Sequence, residues 1–143
     1  MYDMSFHGTD DISASIIIGP PSNVDVTRGR GELGQGFYTG SSISLAAIWA
    51  YGRHQEKGVV VEFGIPRSEL VKLDCMAFKR RSKLVELWQD LRGKKTTTTH
   101  KFGVDYVIAP FATVEEIGHQ YKFESEKSQT VLNNCPKNVY PCV

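Results

Sequence analysis

The sequence predicts a mixed α+β domain with one or two sheets, and three observations carry that prediction. "GVVVEFGIP", residues 58–66, is apolar without alternation, as in a strand buried on both faces. "SSISLAAIWAYGRHQ" (41–55) and "RSKLVELWQDLR" (81–92) repeat apolar residues at helical spacing. Short strand-like runs with turn-rich connections surround them.

In chain order, "MSFHGT" (4–9) reads as a strand, and "DDISASIII" (10–18) as a helix that buries its isoleucines. Residues 19–36, "GPPSNVDVTRGRGELGQG", read as a long loop with no extended apolar stretch to anchor it. "GFYT" (36–39) is a strand. The helix after it takes Ser41 or Ser42 as N-cap and aligns Ile43, Ala46, Ala47 and Ala50 on one face. In the second helix Leu84, Leu87, Trp88 and Leu91 share a face. "GKKTTTTHKFG" (93–103) is a polar loop, "VDYVIAP" (104–110) and "HQYKFES" (119–125) are strands, and "SEKSQTVLNN" (125–134) is a short closing helix. The expected division is a domain over 1–132 and a loop-like tail over 133–143.

The 143 residues suit one domain with its own core. A formal net charge of +1 gives no whole-protein argument for a polyanionic partner or a membrane. No apolar run approaches the ~20 residues of a membrane helix, and the opening "MYDMSFHGTDD" lacks the pattern of a secretory signal. The expected location is therefore cytoplasmic, in the producing or a target cell. Cys75, Cys135 and Cys142 have no metal-ligand spacing, so no metal is expected. Three free thiols are the expected state, with closure of "CPKNVYPC" (135–142) as the alternative.

The stretch "GELGQGFYTG" (31–40) surrounds a Phe-Tyr pair with four glycines. Ahead of it, Arg28 and Arg30 sit among glycines, and arginine forks suit phosphate oxygens. "FHGT" in the first strand, "GQGFYTG" about thirty residues on, the following "AAIWA" helix and the late "VDYVIAPFATV" stand in an informative order. Together they resemble the ADP-ribosyltransferase superfamily, in its histidine-tyrosine branch of diphtheria toxin and the poly-ADP-ribose polymerases, and most closely its small bacterial toxin-like members. The resemblance spans about residues 5–130.

The resemblance implies a split β-sheet core with an NAD cleft between the halves and flanking helices. It implies an enzyme that uses NAD as co-substrate, without metal. The nicotinamide–ribose bond breaks and ADP-ribose passes to a macromolecule, through a cationic transition state that the site must orient and stabilise. His7 would meet a ribose hydroxyl and Gly8 the nicotinamide carboxamide, with Thr9, Gly36 and Phe37 beside them. Tyr38 would stack on the nicotinamide, in a slot opened by the glycines. Trp49 is a candidate for the opposite face of that sandwich or for the core, and Arg28 or Arg30 for the pyrophosphate. The branch's third catalytic position is normally Glu. Here the candidates are Asp105, one methylene shorter, then Gln120, then Glu124.

Residues 72–101 hold nine basic against three acidic residues, a net +6, which leaves about −5 on the rest. A solvated helix face explains such a run, and so does an acidic target. Lys94, Lys95, His100 and Phe102 lie where the family places its substrate loop, and are candidates for acceptor contact. The branch also implies a bacterial toxin or effector with an antitoxin or immunity partner. A glycohydrolase, an RNA 2′-phosphotransferase and a non-catalytic NAD- or ADP-ribose-binding module remain alternatives on the same fold.

Overall fold

A computed structural model of the chain describes residues 1–112 and 118–142. The fold is mixed α+β, as expected, and the chain divides into two compact units. The first comprises Met1–Val24, Thr39–Lys72 and Thr130–Val143; the second comprises Asp25–Tyr38 and Leu73–Gln129.

In the first unit, β1 (Tyr2–Asp10) runs antiparallel to β5 (Gly58–Pro66) over nine paired residues, from Tyr2↔Pro66 to Asp10↔Gly58. The other edge of β5 pairs antiparallel with β9 (Lys137–Pro141), from Val59↔Pro141 to Phe63↔Lys137. Phe6 of β1 lies opposite Gly40, the end of β4 (Phe37–Gly40). The order is thus β4-β1-β5-β9. With neighbours on both edges, β5 buries the adjacent residues Val60 and Val61 as well as Phe63 and Ile65, as its unalternating sequence requires.

Asp10 ends β1 and caps α1 (Asp11–Ile18): its Oδ1 accepts from the Ser13 amide at 2.7 Å and its Oδ2 from the Ser13 hydroxyl at 2.8 Å. Ser42 caps α2 (Ile43–His54) by accepting from the Leu45 amide at 3.1 Å. A short α3 (Arg67–Leu70), which the sequence did not announce, follows β5.

The second unit holds a two-residue-strand hairpin, β2 (Arg30–Gly31) with β3 (Gly34–Gln35). Its sheet pairs β6 (Cys75–Ala77) parallel to β7 (Tyr106–Ala109), and β7 antiparallel to β8 (Gln120–Phe123). α4 (Arg81–Gly93) buries Leu84 against Leu33, Val107, Ala109 and Ala112, and Leu91 is buried too; Tyr38, Leu87, Trp88 and Phe102 pack around that cluster. α5 (Glu126–Asn134) carries the chain back to the first unit.

Three local expectations are corrected. In α1 only Ala14 and Ile17 are buried, whereas Ile12 and Ile16 are 72% and 52% exposed, because the helix meets the sheet along one narrow stripe. α5 ends at Asn134, as expected, but the tail after it is not all loop, because β9 pairs with β5. Residues 19–36 are anchored by isolated apolar residues, Val24, Val26 and Leu33. The Val24 amide donates to Asn133 Oδ1 at 2.7 Å, and the Val26 amide donates to Gln129 Oε1 at 3.0 Å. Thr113 and Val114 of the quoted "VDYVIAPFATV" lie outside the described residues.

Candidate functional site

In the first unit, His7, Gly8 and Thr9 occupy the second half of β1. Gly8 has a steric reason to be glycine: a Cβ there would sit 2.3 Å from the Ala46 carbonyl oxygen, so the bare backbone lets α2 lie on β1. The Ser5 hydroxyl donates to the Thr39 hydroxyl, tying β1 to the end of β4. His7 alternates onto the same strand face as Ser5 and Thr9. Trp49 is not a core residue: it is 42% exposed on α2, with the Arg53 guanidinium 5.3 Å above its ring.

In the second unit the glycine-rich stretch wraps Tyr38. The phenol donates to the Gly34 carbonyl at 2.6 Å and accepts from the Leu33 amide at 3.0 Å, so it closes the β2–β3 hairpin. Gly31 lies against the ring: a Cβ would come within 2.8 Å of Tyr38 Cζ. Gly34 has φ +92° and abuts the His100 carbonyl. Gly36 crosses the Lys122 side chain at a distance that leaves no space for a methyl group. These glycines therefore pack backbone onto Tyr38, His100 and Lys122. Burial pushes the Tyr38 phenol far above its ordinary range, and the Glu32 and Glu124 carboxylates add to the rise.

Behind the hairpin lies a buried ion pair that the sequence reading passed over. Lys122 is fully buried, and its ammonium donates to Glu124 Oε1. Glu124 Oε2 also accepts from the amides of Phe102 at 2.9 Å and Gly103 at 2.8 Å. The Phe102 ring covers the Lys122 ammonium at 4.9 Å. Desolvation lowers the Lys122 pKa, and Glu124 opposes that shift. The residues 93–103 loop is thus fastened to the carboxylate two positions beyond the cation. The alternation of Gln120, Lys122 and Glu124 along β8 was the sequence signal that could have shown it.

Gln120 is also buried. Its amide donates to Glu32 Oε1 at 2.9 Å and to the Pro110 carbonyl at 2.9 Å, while Glu32 Oε1 accepts from the Ala112 amide at 2.7 Å. Glu32, the one acid in the glycine-rich stretch, was missed because nothing in its local sequence separates it from a solvated loop residue. Asp105 makes structural bonds with both oxygens: Oδ2 accepts from the Asp74 amide at 2.8 Å, and Oδ1 from the Ser125 hydroxyl at 2.7 Å. It joins the entry to β6 with the start of α5.

Arg28 is exposed and 3.8 Å from Asp25, and Arg30 is exposed on β2. Lys94 pairs with Asp90 at 3.1 Å, and Lys95 is exposed with φ +56°. Phe102 is turned inward, edge-on to Phe78 at 5.8 Å and to His100 at 4.7 Å. All three cysteines are free. Among the described residues no three His, Cys, Asp or Glu side chains are placed to hold a metal, and no helix is long and apolar enough to cross a membrane.

The His100 Nε2 is buried with no hydrogen-bond partner among the described residues. Burial, then the Lys122 cation, hold its pKa below the ordinary 6.5; Lys94 adds to this, while Glu124 and Asp90 oppose it. The unfolded chain then binds this proton more readily than the folded one, so the folded state loses stability as pH falls below 6.5. Thermal unfolding between pH 7 and 5 is expected to show a steeper loss for wild type than for His100→Leu. The difference is bounded by one proton, at most about 1.4 kcal/mol per pH unit; equal slopes would refute this account.

No protein-family model matches the chain, and no curated protein matches it.

Proposed function

We propose that the chain is an NAD-dependent mono-ADP-ribosyltransferase, which cleaves the nicotinamide–ribose bond and passes ADP-ribose to a macromolecular acceptor. The observation that carries this reading is the placement of the two motifs. "HGT" lies on β1 and "FYT" on β4, strands that pair at Phe6↔Gly40. A polar set of Glu32, Gln120, Lys122 and Glu124 stands in the unit that holds Tyr38. In this reading His7 orients a ribose and Tyr38 stacks on the leaving ring. Asp105, held by Asp74 and Ser125, and Gln120, held by Glu32 and the Pro110 carbonyl, are the candidates for the third position. As an ADP-ribosylating toxin or effector in a cytoplasm, it would require a neutralising partner in its own cell.

One observation favours a second reading, a non-catalytic module that binds NAD or ADP-ribose. Asp105, Gln120 and Glu124 all bond to protein groups. The test is incubation of the purified chain with NAD labelled in the adenosine half, plus a cell lysate. Labelled macromolecule from wild type, and loss of labelling by more than tenfold in His7→Ala and in Asp105→Ala or Gln120→Ala variants that unfold at the wild-type temperature, is the expected result. NAD consumed without transfer would make the chain a glycohydrolase. Binding without consumption would establish the second reading, and neither binding nor consumption would remove both.

A further inference from the structure

We propose that the basic face of α4 and its flanks binds single-stranded nucleic acid through the phosphate backbone. Lys79, Arg80 and Lys83 crowd the start of α4, and Arg92, Lys95 and Lys101 lie at or after its end; all six are exposed. The acids along the helix are already engaged, Glu86 by Lys83 at 3.6 Å and Asp90 by Lys94 at 3.1 Å. Among the described residues no carboxylate pairs with Lys79, Arg80, Lys95 or Lys101. The surface therefore keeps its excess positive charge, which a solvated face of interleaved ion pairs would not.

The placement of that charge is informative. α4 begins with Arg80 at its N-cap, with no side-chain cap bond and no acid in its first turn. Cations there oppose the helix dipole, so they weaken the helix they flank. A phosphate at this end would be met by both the cations and the positive helix terminus. Thirteen helical residues span about 20 Å, the length of about six nucleotides at ~3.4 Å per phosphate. The Arg92 guanidinium lies 4.6 Å over the half-buried Trp88 ring, which gives the far end a flat cationic group for base stacking. Phosphates spaced along a strand match charges at both ends of this helix. As the place where the acceptor docks, the surface rests on the function proposed above; as a binding surface it stands on its own.

The experiment is fluorescence anisotropy of the full chain with labelled 20-nucleotide single-stranded RNA and DNA, their duplexes, and polyglutamate, over a range of salt. Binding of a single strand is expected to weaken with salt, with a log–log slope of about −3 if Lys79, Arg80, Lys95 and Lys101 meet phosphates at ~0.7 each, Arg92 being used for stacking. Charge reversal in Lys79→Glu/Arg80→Glu should weaken binding at least tenfold and make the slope shallower by about 1.4. Glutamate at a helix start favours the dipole, so this variant should unfold no earlier than wild type, and lost binding is not lost fold. Lys57→Glu, in the other unit, should bind as wild type.

RNA and DNA bound alike would identify the backbone as the ligand, and preference for one would identify the acceptor class. No salt-dependent binding, polyglutamate bound as tightly as the oligonucleotides, tighter binding of duplex, or a double variant that binds as wild type would each overturn the proposal. NAD consumption measured in the same samples separates the two ideas. Inactivity with intact oligonucleotide binding counts against the transferase alone.

Discussion

Lys122→Met is expected to cost about 3–5 kcal/mol, the range for removing one partner of a buried ion pair. The substitution strands Glu124 behind the Phe102 ring with only the Phe102 and Gly103 amides to hold it. Those two bonds place the expected loss toward the lower end. Urea unfolding measures it. The companion variants Glu124→Gln and Lys122→Met/Glu124→Gln complete a double-mutant cycle. The pair should couple, so the double variant should cost less than the two single variants summed. A Lys122→Met loss under 1 kcal/mol, or strict additivity, would show that the pair does not hold the residues 93–103 loop. The pH dependence has a definite sign. The folded-state pKa of Lys122 lies below its ordinary 10.5, so the unfolded chain takes up this proton first. Lys122's contribution therefore rises with pH across the window between its folded pKa and 10.5.

The second large effect is at Tyr38, where two substitutions separate structure from chemistry. Tyr38→Phe keeps the ring and removes the phenol, leaving the Gly34 carbonyl and the Leu33 amide without that partner. A loss of about 1–3 kcal/mol is expected, the cost of unpaired buried polar groups. Tyr38→Ala also removes the ring on which Gly31 and the Leu33 cluster pack, and should cost about 3–5 kcal/mol. If the ring stacks on nicotinamide, Tyr38→Phe retains NAD binding measured by calorimetry below its unfolding temperature. Tyr38→Ala loses that binding even at temperatures where it is still folded. A Tyr38→Phe variant that is fully stable would show the hairpin to be closed by other contacts. A folded Tyr38→Ala variant that binds NAD as wild type would remove the stacking role.

The buried pair and the tyrosine show why the site was only half legible. The glycines at 31, 34 and 36 suggested that the backbone approaches something closely. What it approaches is Tyr38, His100 and Lys122, residues 7 to 86 positions further along the chain. Composition marks the need for close approach but not the identity of the neighbour. Asp105 stood out because it opens an apolar strand, yet such a position also suits a carboxylate that ties loops together.

Residue spacing was enough for the α+β class, the central strand 58–66, an N-cap at Ser41 or Ser42, the inward face of α4 and the surplus of positive charge around it. Each is a local or periodic property, fixed by residue spacing along one element. It took the three-dimensional fold to make 137–141 a strand, since its partner Val59–Phe63 lies far back in the chain. Only it exposed Trp49 and Ile12, buried Lys122 beside Glu124, and set Gln120 against Glu32 across 88 residues of sequence. Burial and pairing depend on which surfaces meet, and contacts between distant residues leave no period in a single sequence.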